Sequence, residues 1–421
     1  MSGNVHHCPH ETLKVITFDG GPSPLVTIRV LLKLEDWLLK HGKGSFIERA
    51  DMFVGTSDGG LMSLLLAHSL SKGESGISAL QRCISFSRNI SKSFKADTRA
   101  WLRLLGGTRA MLAREVLEKL LQKEFGTTTL KDLMVKGKLV SIAAFDIDDC
   151  QLTTYHAFEP GGVPNMSLVD VGLATSALPL VLPPFKAAPG QDPYRKQNLI
   201  VDGVFASNST VTAALSDAIL HLANDNHFNS ETMGAQNLHR IQMLSIGSKS
   251  MKPQDWREDL PSLMKVAFKA LDFADQAKDV SQKLFSKLPF VGSMGTQEPE
   301  GGMLLWGEQL LSMMNAIIDG SSQLDDRIAK HTLGRKRYHR FQPETPNYKI
   351  LMTAFDDPMK AEQIAENRAK EIFDAEVDRH RQNKLLASDN YPTLISWLKK
   401  NWLSEEIPQT GGLPISGRCA P

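Results

Sequence analysis

Residues 51–67 constrain this chain more than any other stretch. They read Asp51-Met-Phe-Val-Gly-Thr-Ser-Asp-Gly-Gly-Leu-Met-Ser-Leu-Leu-Leu-Ala67: a short apolar strand over 52–54, a tight turn, then an apolar helix. The turn, Gly55-Thr56-Ser57-Asp58-Gly59, is a G-x-S-x-G pattern. Such a bend between strand and helix lifts a serine hydroxyl above the sheet edge. A side chain at Gly55 or Gly59 would collide with the neighbouring strand or helix, so the bend requires glycine there. The amides of Asp58, Gly59 and Gly60 open the helix without partners inside it. Together with the helix dipole they favour negative charge near the hydroxyl. The alternative is an ordinary strand-to-helix loop that happens to contain Gly and Ser. Five positions alone do not separate the two, and it is the apolar flanks that favour a nucleophile.

The preceding unit has the same plan. Residues 13–18 form a β-branched, apolar strand ended by Asp19-Gly20-Gly21. A helix follows over 25–40, with Ser23 as N-cap, Pro24 at its first position and His41-Gly42 as its stop. Strand, glycine turn and helix in succession imply an α/β fold with a mainly parallel sheet and reactive groups at the strands' carboxyl ends. Further helices are expected over 80–90, 113–125, 129–134, 168–175 and 210–222. Residues 139–147 and 151–158 read as a hairpin, 179–185 as a proline-broken loop, and 198–202 and 241–247 as strands. The core is expected to span 13–250, between a flexible tail over 1–12 and a helical lid or packing region over 251–405. Residues 406–421 make a second tail. Within the helical region, 260–288 is expected to be mostly helical with one apolar stripe, 304–318 is nearly all apolar, and 360–381 and 391–403 are expected to pack over the core.

Composition narrows the function classes. A net charge of +1 over 421 residues provides no field for nucleic acid. The four cysteines, Cys8, Cys83, Cys150 and Cys419, are scattered as in a reducing compartment. No secretory signal and no apolar run long enough to span a bilayer is present. A cytoplasmic location with peripheral membrane contact is therefore expected. The cluster His6, His7, Cys8 and His10 has zinc-type residues, but it lies in a tail without a scaffold, so no metal is expected.

Ser57 needs a base. Asp202 ends a strand just before Gly203, yet an unperturbed carboxyl has a pKa of about 3.9 and gains basicity only by dehydration. Spacing alone leaves a plain turn role for Asp202 equally open. His156, His221 and His239 are the candidates for a His-based alternative.

Four blocks in order resemble the patatin-like phospholipases: Phe18-Asp-Gly-Gly21, Gly55-Thr-Ser-Asp-Gly-Gly60, Ala174-Thr-Ser-Ala-Leu-Pro-Leu-Val-Leu-Pro-Pro-Phe185 and Asp202-Gly-Val-Phe-Ala-Ser-Asn208. Residues 244–247 and 126–133 add weaker likeness. The resemblance covers about residues 13–250, with echoes to about 380. It implies a three-layer fold and a Ser57–Asp202 dyad that needs no histidine, cofactor or metal. It also implies an oxyanion hole of Gly20, Gly21 and Asp58, and a phospholipid or other acyl-ester lipid as substrate. Pro22 and Pro24 depart from the family's turn, where a third glycine and a basic residue are usual, and Val204 departs from a second glycine or alanine. Proline has no N–H, and losing one oxyanion donor typically costs about 3–4 kcal/mol in the transition state. Hydrolysis through an acyl-Ser57 is the leading expectation. Transfer of the same acyl group to another acceptor, and a catalytically weak protein that binds acyl chains or a partner, are the alternatives.

Overall fold

The first two units fold as their apolar patterns require. Strand β1 (Leu13–Phe18) leads into helix α1 (Leu25–Lys40), and β2 (Met52–Thr56) leads into α2 (Ser57–Ser71). The computed structural model describes residues 12–96, 114–158, 165–250, 320–346 and 350–404, with breaks at 22–23, 179–181, 187–197, 207, 225–236, 321, 351–352, 354–356 and 387–392. Next in order come α3 (Gly76–Ala96), α4 (Arg114–Phe125) and α5 (Leu130–Val135). Gly126 ends α4 in the left-handed region at φ +57°, and Thr129 opens α5 with a capping box closed by Asp132. The hairpin is β3 (Leu139–Asp146) with β4 (Gln151–Tyr155), antiparallel and in register from Ile142 opposite Tyr155. Then follow α6 (Leu168–Thr175), β5 (Phe185–Lys186), β6 (Leu199–Asp202), α7 (Val211–Asn224) and β7 (Ile241–Ile246).

The sheet order is β5–β6–β3–β2–β1–β7 and then β9 (Tyr338–Phe341), with β4 also on β3. Strands β3, β2, β1, β7 and β9 are parallel to one another. A separate two-stranded ribbon joins β8 (Lys249–Ser250) to β10 (Glu344–Thr345). Alternate residues of a strand face opposite sides of a sheet. Ile16, Phe18, Phe53, Ile142 and Leu244 accordingly meet α1, α2, α3 and α6 on one side. Leu13, Val15, Val54 and Met243 meet α7 and helix α8 (residues 322–337) on the other. The result is three layers, with α2 buried from Gly59 to Ser69 against the first face.

The C-terminal chain packs on that same side. Helix α9 (Pro358–Leu386) lies along α1, placing Ala361, Ala365 and Ala369 in the core. At the rim of this contact Glu366 pairs with Arg29 at 2.5 Å and Lys33 at 2.6 Å, and Glu362 takes Arg88 at 2.6 and 2.7 Å. Trp402 donates its indole N–H to the Phe46 carbonyl at 2.9 Å.

Several expectations shift. The sheet takes β9 from beyond residue 250, where the sequence placed the edge of the core. Its four residues, Tyr-His-Arg-Phe, are too short to carry a readable strand period. Strand β2 runs on to Thr56, leaving no loop before α2. Pro24 occupies the α1 N-cap without a side-chain bond, while Ser23 lies outside the described residues. Residues 260–288, expected as helix, the apolar stretch 304–318 and the tails up to residue 11 and from 406 also lie outside them, and the proline-broken loop is described only from Leu182, with Phe185 opening β5.

Candidate active site

Ser57 sits where β2 becomes α2, at φ +54°. For a residue with a Cβ the left-handed region costs about 1–2 kcal/mol. Two contacts hold it there. Its N–H donates to Thr175 Oγ1 at 2.8 Å, and that hydroxyl donates onward to the Ala143 carbonyl at 2.7 Å. Close approach of the backbone accounts for the glycines. A Cβ on Gly55 would stand 2.3 Å from the Gly59 carbonyl oxygen, and one on Gly59 would stand 2.4 Å from the carbonyl oxygens of both Phe18 and Asp19.

The Ser57 hydroxyl donates to Asp202 Oδ2 at 2.6 Å, across 145 positions of chain. The route differs from the one expected. β6 is antiparallel to β3, which overhangs β2, so β6 runs back from that overhang and brings Asp202 opposite Ala144, beside the end of β2. Its last step requires Gly203, where a Cβ would lie 2.4 Å from Thr56 Oγ1. The other oxygen, Oδ1, accepts the Val204 N–H at 3.0 Å, a backbone role that leaves the Val204 side chain free to vary. Asp202 is wholly buried. Burial raises its carboxyl to about 7, against the opposing pull of the Ser57 and Val204 bonds. Asp58, half-buried at the start of α2, is raised to about 7 by burial and then by the Asp202 charge.

The glycine turn after β1 meets the same point. A Cβ on Gly20 would be 3.3 Å from Ser57 Cβ. Its N–H, however, donates to the Asn208 carbonyl at 3.2 Å, so Gly20 is already engaged and serves as a close wall rather than an open donor. Gly21 has no such backbone partner among the described residues. The Asp58 amide falls at the helix opening, where Thr56 provides no side-chain cap. A shallow cleft lies alongside, lined by Phe18, Gly20, Gly21, Thr27, Asp58 and Met62. Pro22 is outside the described residues.

The histidines lie elsewhere. His156 stacks on Phe158 at 4.2 Å between centroids, and His221 meets the same ring edge-on at 5.5 Å. Phe158 belongs to the apolar cluster on the face opposite α2, and His239 is exposed after α7. The His6–His10 cluster is not described, and among the described residues no three His, Cys, Asp or Glu side chains are grouped to hold a metal.

Residues 18–215 match the family model described as patatin-like phospholipase. Those residues are a patatin-like phospholipase domain. The Patatin-like protein 4 of Arabidopsis thaliana is 27% identical over 253 residues, covering 58% of this chain and 61% of that protein, so the alignment spans about three fifths of the relative. The crystal structure of VipD from Legionella pneumophila overlays 92% of this chain and 79% of its own at 11% identity and a TM-score of 0.30, too loose a superposition to bear on the fold. Within the patatin-like domain the sequence missed two residues that shape the site, Thr175 and Asn208. Both lie in the resemblance blocks, but a hydroxyl that props a backbone amide has no pattern of its own. A third, Arg340, lies beyond the domain match, and no sequence signal marks it.

Proposed function

We propose that the chain is a lipid acyl hydrolase acting on carboxylic esters through an acyl-Ser57 intermediate, with Asp202 as general base. The observation that carries this is the 2.6 Å bond from the Ser57 hydroxyl to a buried carboxylate that burial makes more basic. Asp202 takes the hydroxyl proton as Ser57 Oγ attacks the ester carbonyl. The oxyanion faces the amides of Gly21 and Asp58, and the proton passes to the departing alcohol. Water then repeats the sequence in reverse, releasing the acid and restoring the hydroxyl. Phe205, 47% exposed just after the dyad's strand, offers an apolar contact for an acyl chain or a membrane surface. The contact proposed is peripheral; no helix among the described residues is long and apolar enough to cross a membrane.

One observation favours a slower enzyme. The Gly20 amide is engaged by Asn208, and Pro22 has no N–H, which leaves two donors instead of the wider set the resemblance implied. Transfer of the acyl group to a non-water acceptor uses the same intermediate. The deciding experiment compares wild type with Ser57→Ala and Asp202→Asn on soluble p-nitrophenyl esters and phospholipid vesicles, with fluorophosphonate labelling of Ser57 in parallel. Turnover and labelling are expected in wild type alone; equal turnover in Ser57→Ala would rule out the dyad.

A further inference from the structure

We propose that Arg340, on the edge strand β9, is the positioning residue of the oxyanion turn: its guanidinium clamps Asp19 and thereby fixes Gly20 and Gly21 against Ser57. The inference rests on the acyl-hydrolase reading of that site. Arg340 Nη2 meets Asp19 Oδ2 at 2.5 Å and Nη1 meets Oδ1 at 3.2 Å, a two-point contact between side chains only 5% and 2% exposed. A planar fork on a carboxylate fixes orientation as well as distance. The guanidinium is itself held, because Nη1 also donates to Ser245 Oγ at 2.6 Å and Nε to Gln342 Oε1 at 3.3 Å. Space for the pair comes from Gly247, where a Cβ would fall 2.3 Å from Asp19 Oδ2 and 2.9 Å from Arg340 Nη2.

Asp19 is the residue through which this clamp reaches the chemistry. Its N–H is tied to the Ile246 carbonyl at 2.9 Å, and the next N–H, from Gly20, to Asn208 at 3.2 Å. The Arg340 fork is the third tether, and the only one of the three that acts on a side chain. Gly21 is the first residue past these tethers with an amide left to donate. The carbonyls of Phe18 and Asp19 also lie where a Cβ on Gly59 would be, at 2.4 Å from it, so the turn and the elbow helix approach closely and a turn that moved would disturb both. Where the family's turn carries a basic residue, this chain has Pro24. A cation reaches the turn instead from a strand well outside residues 18–215. A charge pair this deeply buried need not add stability, whereas its geometry restricts where the turn can lie.

Arg340→Lys keeps the charge but loses the fork. On a soluble ester it is expected to fold as wild type does, with kcat down about 10- to 100-fold, KM within about 2-fold, and slower fluorophosphonate labelling of Ser57. Arg340→Ala is expected to recover part of its kcat in millimolar guanidinium chloride but not in equal sodium chloride. Should the single variants fail to fold, the neutral pair Asp19→Asn with Arg340→Met removes the buried charge and leaves the turn untethered, and its labelling should still be slow. Wild-type kcat and labelling in folded Arg340→Lys, or in the neutral pair, would overturn the proposal. Wild-type protein inert to the probe would instead overturn the hydrolase reading beneath it.

Discussion

Thr175→Val separates the elbow's strain from its chemistry. Valine keeps the volume of threonine but removes the oxygen that accepts the Ser57 N–H at 2.8 Å and donates to Ala143 at 2.7 Å. Thr175 is fully buried, so water does not replace the lost acceptor. An orphaned buried amide costs about 1–3 kcal/mol. It also releases a serine whose φ of +54° already carries about 1–2 kcal/mol of strain. With the relieved strain set against the orphaned Ser57 amide and the donor lost to the Ala143 carbonyl, the expected net loss is about 2 kcal/mol of folding stability by urea titration. Relaxation of Ser57 toward an ordinary φ would draw its Oγ away from Asp202, and a shift of about 1 Å lowers turnover about 100-fold. Thr175→Ser is the control. It keeps both hydrogen bonds and loses only the methyl packed near Gly60, a loss of about 1 kcal/mol with turnover near wild type. If Thr175→Val matched wild type in stability and turnover, or if Thr175→Ser fell as far, the hydroxyl would not be what holds the elbow.

Other outcomes follow from the buried carboxyls. With Asp202 as the proposed base, ester turnover is expected to rise with pH through about 7, where its carboxyl becomes ionised and able to accept the proton. Asp58→Asn removes a neighbouring negative charge and should move that rise to lower pH; a profile flat from about pH 5 to 8 would contradict the base assignment. Glu35 is fully buried on α1, accepting from the Ser45 hydroxyl and from the Phe46 N–H at 3.1 Å, and burial raises its carboxyl from 4.5 to about 7. The folded state thus binds this proton more tightly than the unfolded chain. The resulting stability is complete below pH 4.5 and is lost as pH rises through about 7, an effect of about 3 kcal/mol. Glu35→Gln cannot ionise, so its melting temperature should fall less than that of wild type between about pH 5 and 8. Parallel melting curves would refute the assignment.

Much of the α/β half was legible in the chain itself. Gly55, Ser57 and Gly59 announced the elbow because a sharp strand-to-helix turn admits few residue types, and Phe18 and Ile16 announced β1 because a buried parallel strand is apolar throughout. Asp202 was visible as a carboxylate at a strand end, but the reason given for it was incomplete. Its strand is antiparallel, and strand direction depends on which neighbour it pairs with. Gly20 shows the same limit, since its place in the turn was readable while the partner of its N–H was not.

By itself the sequence determined the local conformations: the bend at Ser57, the glycine turn after β1, the alternation of strands and helices, and the resemblance that paired Ser57 with Asp202. Only the tertiary structure decided which groups those conformations meet. Thr175 under the Ser57 amide, Asn208 on Gly20, and Arg340 reaching Asp19 across 321 positions are all contacts between distant segments. A residue's backbone preference is set by its own side chain and near neighbours, and so leaves a pattern. A hydrogen bond between remote segments depends on how the layers stack, and a lone threonine, asparagine or arginine carries no trace of it.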